Sequence, residues 1–185
     1  MIDDILLDVE ERMDKAVRAL RSDLLGIRTG RASPALVEKL PVEAYGATMP
    51  LNQAATIAVP EARLLTIRPW DPSIIGDIEK AILKSKLGLT PNNDGKIIRL
   101  AIPSLTDERR RDLAKIVSRR VEEGRIAIRN LRRDALKDLG ALQKGKEISE
   151  DQFYKAKDDL QELTDEYIGK MDKVGENKQA EIMEI

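Results

Sequence analysis

The sequence predicts an α+β protein, a long three-helix bundle carrying a small inserted β/α/β domain. Three observations predict it. Apolar residues recur at steps of three and four over residues 2–27, and again from residue 105 onward. All eight prolines lie between, from Pro34 to Pro103. That proline-bearing stretch alternates short β-like runs with one amphipathic helix.

The first helix is expected to cover about 26 residues, roughly 40 Å. Its apolar face is Ile2, Ile5, Leu6, Val9, Met13, Val17, Leu20, Leu24 and Ile27. "TGRASP" stops it, with Gly30 and Pro34 as breakers. The inserted segment, residues 31–104, holds the strand-like runs "VEAYG", "ATIAVP", "LLTIRPW" and "KIIRLAIP". Between them "PSIIGDIEKAILKSKLG" turns Ile74, Ile75, Ile78, Ala81 and Ile82 to one face. "TPNNDGK" reads as a turn before the last strand. Trp70, within "RPWDP", is expected in the core.

The second helix starts at "SLTDERR", where Thr106 can cap and Asp107 and Glu108 favour the positive end of the dipole. Its seam is Leu113, Val117, Val121, Gly124, Ile128, Leu131, Ala135, Leu139 and Leu142, and Gly145 breaks it. Ser149 and Gln152 then form a capping box for the third helix. That helix carries Phe153, Ala156, Leu160, Leu163, Tyr167, Met171, Val174 and Ile182 on its stripe. Each of these helices is expected to span about 55 Å. A lone helix cannot bury such a stripe; three packed together can. Residues 1–30 and 105–185 therefore form the bundle and residues 31–104 the inserted domain. The two linking passages, "TGRASP" and "IPSLT", serve equally well as a rigid elbow or as a hinge.

Overall charge names no partner, since 32 basic side chains face 33 acidic ones. Its distribution does. Residues 105–135 carry a net +4 and residues 136–185 a net −5. With Arg129 as reference on a helical wheel, Arg111 points the same way and Lys115 and Arg133 lie near +40°. Arg125 lies near −40°, Arg132 near −60° and Arg119 near +80°, beside a seam at about −80° to −120°. Glu122 is the one acid in that sector. A solvated charged face is the ordinary explanation of such a run. Two details weigh against it. The cations are mostly arginine, whose planar fork suits phosphate oxygens. And "RNLRRDA" offers only Asp134 as a local acid. The expected missing partner is a polyanion, read by its phosphates; with few aromatics, none among these cations, base stacking is not expected.

Catalysis is not expected. The chain has no histidine and no cysteine, which removes nucleophilic triads, thiol chemistry and soft metal sites. No phosphate-binding glycine loop appears. The carboxylates of "SEDQ", "KDDLQEL" and "TDEY" lie on helix surfaces and are expected to be solvated. No catalytic residue, metal site or cofactor is assigned. No apolar run approaches the roughly 18 residues of a membrane span, and the acidic N-terminus does not suit a signal or transit peptide. A cytoplasmic monomer is expected.

"IRTGRASP", "LGLTPNNDG", "LTDERRRDLAK", "RIAIRNLRRDA" and "KEISED" together resemble ribosome recycling factors, in order and over essentially the whole chain. The resemblance implies an L-shaped molecule that binds the post-termination ribosome between its subunits, its bundle against large-subunit ribosomal RNA. It implies that elongation factor G, hydrolysing GTP, then drives the subunits apart, and that the factor itself is not an enzyme. By motif match Arg132, Arg129, Arg28 and Arg31 carry over as RNA contacts, with Arg133, Arg125 and Arg111 as further members. The expected hinge is Thr29, Gly30, Arg31 and Ser33 on one passage, and Pro103, Ser104 and Leu105 on the other. Gly124 departs from the alanine usual in the family, and either lets helices approach or bends the second one. The rival readings are a coiled-coil scaffold for a protein partner and a metal-dependent RNA hydrolase.

Overall fold

The computed structural model describes residues 1–184. The chain divides into two compact units, one of Met1–Arg28 with the stretch from Thr106 onward, the other Thr29–Leu105.

The first unit is three helices, α1 (Ile2–Leu25), α4 (Asp107–Lys144) and α5 (Glu150–Met183). At 1.5 Å per residue α4 and α5 are about 57 and 51 Å long. Each buries most of the stripe its periodicity predicts, while Ile2, Ile5, Leu6, Leu131, Leu142, Phe153 and Leu163 are half-buried and Ile27 lies beyond the end of α1. Val9, Met13, Val17, Leu20 and Leu24 of α1 and Leu113, Val117, Val121, Ile128, Ala135 and Leu139 of α4 are buried, and the two helices pack against each other. Ala156, Leu160, Tyr167, Met171, Val174 and Ile182 of α5 close the core. Arg125 reaches Asp172, while Ser118, seven residues earlier on α4, reaches Gln179, seven later on α5; the two helices run antiparallel. Arg120 pairs with Asp23 of α1.

The caps follow from side-chain chemistry. Thr106 Oγ1 accepts from the Arg109 N–H at 3.1 Å. The Ser149 and Gln152 capping box is complete, at 3.1 and 2.8 Å. At the end of α4 the left-handed residue is Lys146, with φ 58°, not Gly145, with φ −74°. Lys146 N–H donates to Gln143 O and Glu147 N–H to Leu142 O, the paired bonds of a Schellman stop.

Gly124 serves close approach. A Cβ there would lie 2.9 Å from Met171 Sδ. The thioether is adaptable, and alanine gains about 1 kcal/mol of helix propensity over glycine. Gly124→Ala is therefore expected to change bundle stability by less than about 1 kcal/mol in thermal unfolding.

The second unit opens with a 3-10 turn at Pro34–Leu36 and a hairpin, β1 (Pro41–Ala44) and β2 (Ala47–Pro50). Tyr45 and Gly46 at its tip both have positive φ, as a primed turn demands. A single turn, α2 (Leu51–Ala54), leads into β3 (Ala55–Glu61) and β4 (Leu64–Pro69). Then come α3 (Ile75–Lys84), β5 (Pro91–Asn93) and β6 (Ile98–Ala101). The strands form an antiparallel sheet in the order β3-β4-β6-β5. Leu65 and Ile67 of β4, Ile98 and Leu100 of β6, and Ile78 and Ile82 of α3 share one core. Proline sits where a ladder tolerates it: Pro41, Pro50, Pro69 and Pro91 at strand ends, Pro60 at the irregularity of edge strand β3.

Two expectations change. The "TPNNDGK" turn contains a strand, β5, before the turn proper. And Trp70 is not core; it is 66% exposed. Leu65, Ile67 and Pro69 face inward, so strand alternation sends Thr66, Arg68 and Trp70 to the other side.

Candidate nucleic-acid interface

The basic stripe lies on α4 because 3.6-residue periodicity sets arginines beside the seam rather than on it. The structure divides these cations by partner. Arg125 is engaged twice: its Nη1 meets Glu122 Oε2 at 2.9 Å, and its Nε meets Asp172 Oδ1 of α5 at 2.7 Å. Arg129 Nη1 lies 3.3 Å from the other oxygen of Glu122. Arg133 donates to the side-chain carbonyl of Asn130. Arg111, Lys115, Arg119 and Arg132 make no ion pair or hydrogen bond among the described residues. Arg111, Lys115 and Arg119 are exposed, and Arg132 is half-buried beside the seam. From Arg111 to Arg132 the stripe is about 31 Å long.

The acid that the sequence placed in this sector, Glu122, is a partner of Arg125 and Arg129; Asp172, on another helix, is the one that spacing along α4 did not reveal. The surplus of charge is thus concentrated on the four cations without partners. Arg110 behaves differently from its neighbours in "ERRR". It turns toward the seam, its side chain is 13% exposed, and Asp107 lies 3.9 Å away.

The hydrogen bonds from Arg125 and then Arg129 hold the Glu122 carboxyl below its ordinary value, and Glu122 and Asp172 push the Arg125 guanidinium up. The stability this cluster supplies is present above the ordinary glutamate range. It is lost only as pH falls through the depressed value. Glu122→Gln leaves Arg125 with Asp172 but releases Arg129. The variant is expected to bind structured RNA about two- to fivefold more tightly at low salt, the gain vanishing at high salt, as read by filter binding.

Arg28 and Arg31 are exposed. Around them backbone hydrogen bonds fasten part of each linking passage. Ala32 N–H donates to Ala62 O at 2.7 Å, and Ile102 N–H donates to Arg63 O at 2.8 Å. Both linking passages are therefore fastened to the β3–β4 turn. Ser33 is committed beyond that point, capping the 3-10 turn through Ala35 N–H. Thr29–Arg31 and Pro103–Leu105 are the stretches outside these fastenings. Gly30 has φ +77°, and a Cβ on it would stand 3.2 Å from Leu105 Cγ. Among the described residues no acidic or histidine cluster could hold a metal ion, and no helix is long and apolar enough to cross a membrane.

A family model described as ribosome recycling factor matches residues 20–183. The ribosome-recycling factor of Roseiflexus sp. (strain RS-1) is 58% identical over the full length of both chains, and that of Bacillus subtilis (strain 168) is 51% identical over the same span. A solution structure of the ribosome recycling factor superposes with a TM-score of 0.73 at 41% identity, covering 100% of this chain and 98% of the other. A second solved structure places the T. thermophilus factor with E. coli elongation factor G on the E. coli post-termination complex. It matches with a TM-score of 0.63 at 44% identity, over the full length of both chains.

Proposed function

The chain belongs to the ribosome recycling factor family, and on that premise we propose that α4 is its grip on ribosomal RNA. It is a translation factor that acts on the post-termination ribosome with elongation factor G, and the outcome is separation of the subunits for recycling. The bundle rests on large-subunit RNA through Arg132, Arg111, Lys115 and Arg119. Arg129 and Arg133 adjust to the RNA by exchanging their present partners, while Arg125 stays with Asp172 and orients the stripe. Arg28 and Arg31 add contacts where α1 ends. The observation that supports this reading is the set of four α4 cations, Arg111, Lys115, Arg119 and Arg132, that have no partner among the described residues.

The chemistry is mechanical. The chain breaks no bond; GTP is hydrolysed by elongation factor G, in the cytoplasm where ribosomes work. Three long helices packed along their length resist bending, so force applied at one place is felt at another. The passages Thr29–Arg31 and Pro103–Leu105 supply the movable backbone. Light scattering by purified post-termination complexes tests the reading. Scattering should fall when this chain, elongation factor G and GTP are all present. A fall without this chain, or none with all three, would contradict it.

Gly30→Pro separates movement from attachment. Proline locks φ near −65°, whereas Gly30 sits at +77°. Ribosome binding is expected to stay within about threefold of the parent while the splitting rate drops about tenfold or more. Equal losses in pelleting and in splitting would mean the passage is only an elbow.

A further inference from the structure

The sheet of the second unit has one face packed on α3 and one face open. Inward positions are Leu65, Ile67, Ile98 and Leu100. By register the open face carries Thr56 opposite Arg68, Ala58 opposite Thr66, and Arg99 opposite both Thr66 and Asn92. Trp70 continues this face at the end of β4. It is the only tryptophan in the chain.

An exposed apolar side chain alone needs no explanation. This one has three features that together do. Its indole N–H donates to Thr56 Oγ1 at 2.9 Å, which ties the ring to β3 instead of leaving it free. Its adjoining positions on the face, Thr56 and Arg68, are polar and exposed, so no apolar side chain of the face covers the ring. And the charge is one-sided. Arg68 is exposed with no ion pair or hydrogen bond among the described residues. Arg99 is held by Asp94 at 2.8 Å, and that carboxylate is already claimed by the Lys96 and Ile97 N–H groups. Asp71, next to Trp70, is taken by the Tyr45 hydroxyl and the Ser73 N–H. Glu61, beyond the bulge, is the one acid on β3.

We propose that this open sheet face binds single-stranded nucleic acid, with a base stacked on Trp70 and its phosphate paired with Arg68. A tethered π-face beside an uncompensated guanidinium on the exposed side of an antiparallel sheet is what sequence-tolerant strand binding requires. A protein partner would use Trp and Arg as anchors too, but it would seat the indole among apolar neighbours, and the adjoining positions of this face are Thr56 and Arg68. The site lies on a different unit from the α4 stripe and reads a different form of RNA, extended rather than folded.

Trp70 fluorescence reports occupancy directly, because no other indole contributes. The intact chain is titrated with oligouridylate of about ten nucleotides. Emission is expected to fall saturably. Trp70→Ala should weaken binding by about tenfold, measured by anisotropy of labelled oligouridylate, while Trp70→Phe keeps most of it. Arg68→Ala should weaken it about threefold or more and flatten its salt dependence. Both side chains are exposed, so unchanged thermal unfolding will certify the variants. Oligouridylate that binds without quenching and with unchanged affinity for Trp70→Ala would overturn the proposal, placing the strand on α4. Quenching by elongation factor G and not by oligouridylate would overturn it in favour of a protein surface.

Discussion

Arg132→Ala is expected to weaken attachment to the large ribosomal subunit about tenfold or more, and to slow splitting at limiting factor by a similar ratio. The side chain lies half-buried at the edge of the seam, with no partner among the described residues. A guanidinium so placed has its stem against the bundle and its fork available, so little freedom is lost when it closes on phosphate. On the proposed contact, removing it would cost a charge-assisted hydrogen bond and leave a phosphate unmatched. The fold should not notice. No ion pair inside the chain is broken, and alanine is the best helix former, so thermal unfolding should move by less than about 0.5 kcal/mol. Arg125→Ala should show the opposite signature, because Arg125 bridges Glu122 and Asp172. Stability falls, and ribosome affinity changes less than for Arg132→Ala. Subunit pelleting together with thermal denaturation distinguishes the two.

Gly175→Val is expected to lower the unfolding temperature of the bundle by about 5–15 °C. A Cβ on Gly175 would stand 2.5 Å from Val121 Cγ2 and 3.6 Å from its Cβ. Val121 is buried and β-branched, and on a helix its χ1 has one good setting, so it cannot swing aside as Met171 can at Gly124. The two helices must separate locally, which strains the packing of Met171 and Val174 nearby. Overpacking of this kind costs about 1–3 kcal/mol or more, and the better helix propensity of valine offsets only about 0.5 of that. Far-UV circular dichroism against temperature measures it. An unchanged melt would contradict a close approach of α4 and α5 at Gly175.

Much of the bundle was legible in the sequence because periodicity is a local signal repeated over many turns. The seam residues of α1, α4 and α5, Thr106 as a cap and the Ser149–Gln152 box all follow from spacing alone. Features that depend on contacts distant in sequence were not legible. Asp172 lies 47 positions from Arg125, and nothing local announces their meeting. Gly175 looks like any helical glycine until Val121 is placed opposite it. β5 is three residues long and begins with proline, so its turn residues outweighed its pairing with β6. Trp70 illustrates a different failure. Its hydrophobicity argued for burial, while the alternation of β4 argued for the open side, and alternation decided. For the candidate site the sequence located the stripe and its direction. Which guanidinium groups remain unpaired depends on tertiary partners such as Asp172, which local spacing does not encode.

The most direct test of the central claim is the salt dependence of binding to the large subunit. It compares the parent chain with the triple variant Arg111→Ala/Arg119→Ala/Arg132→Ala. If these unpaired groups meet phosphate, the log–log slope should become shallower by about three, roughly one for each charge removed. An unchanged slope in the triple variant, or binding that ignores salt and survives ribonuclease, would show that α4 grips something other than RNA.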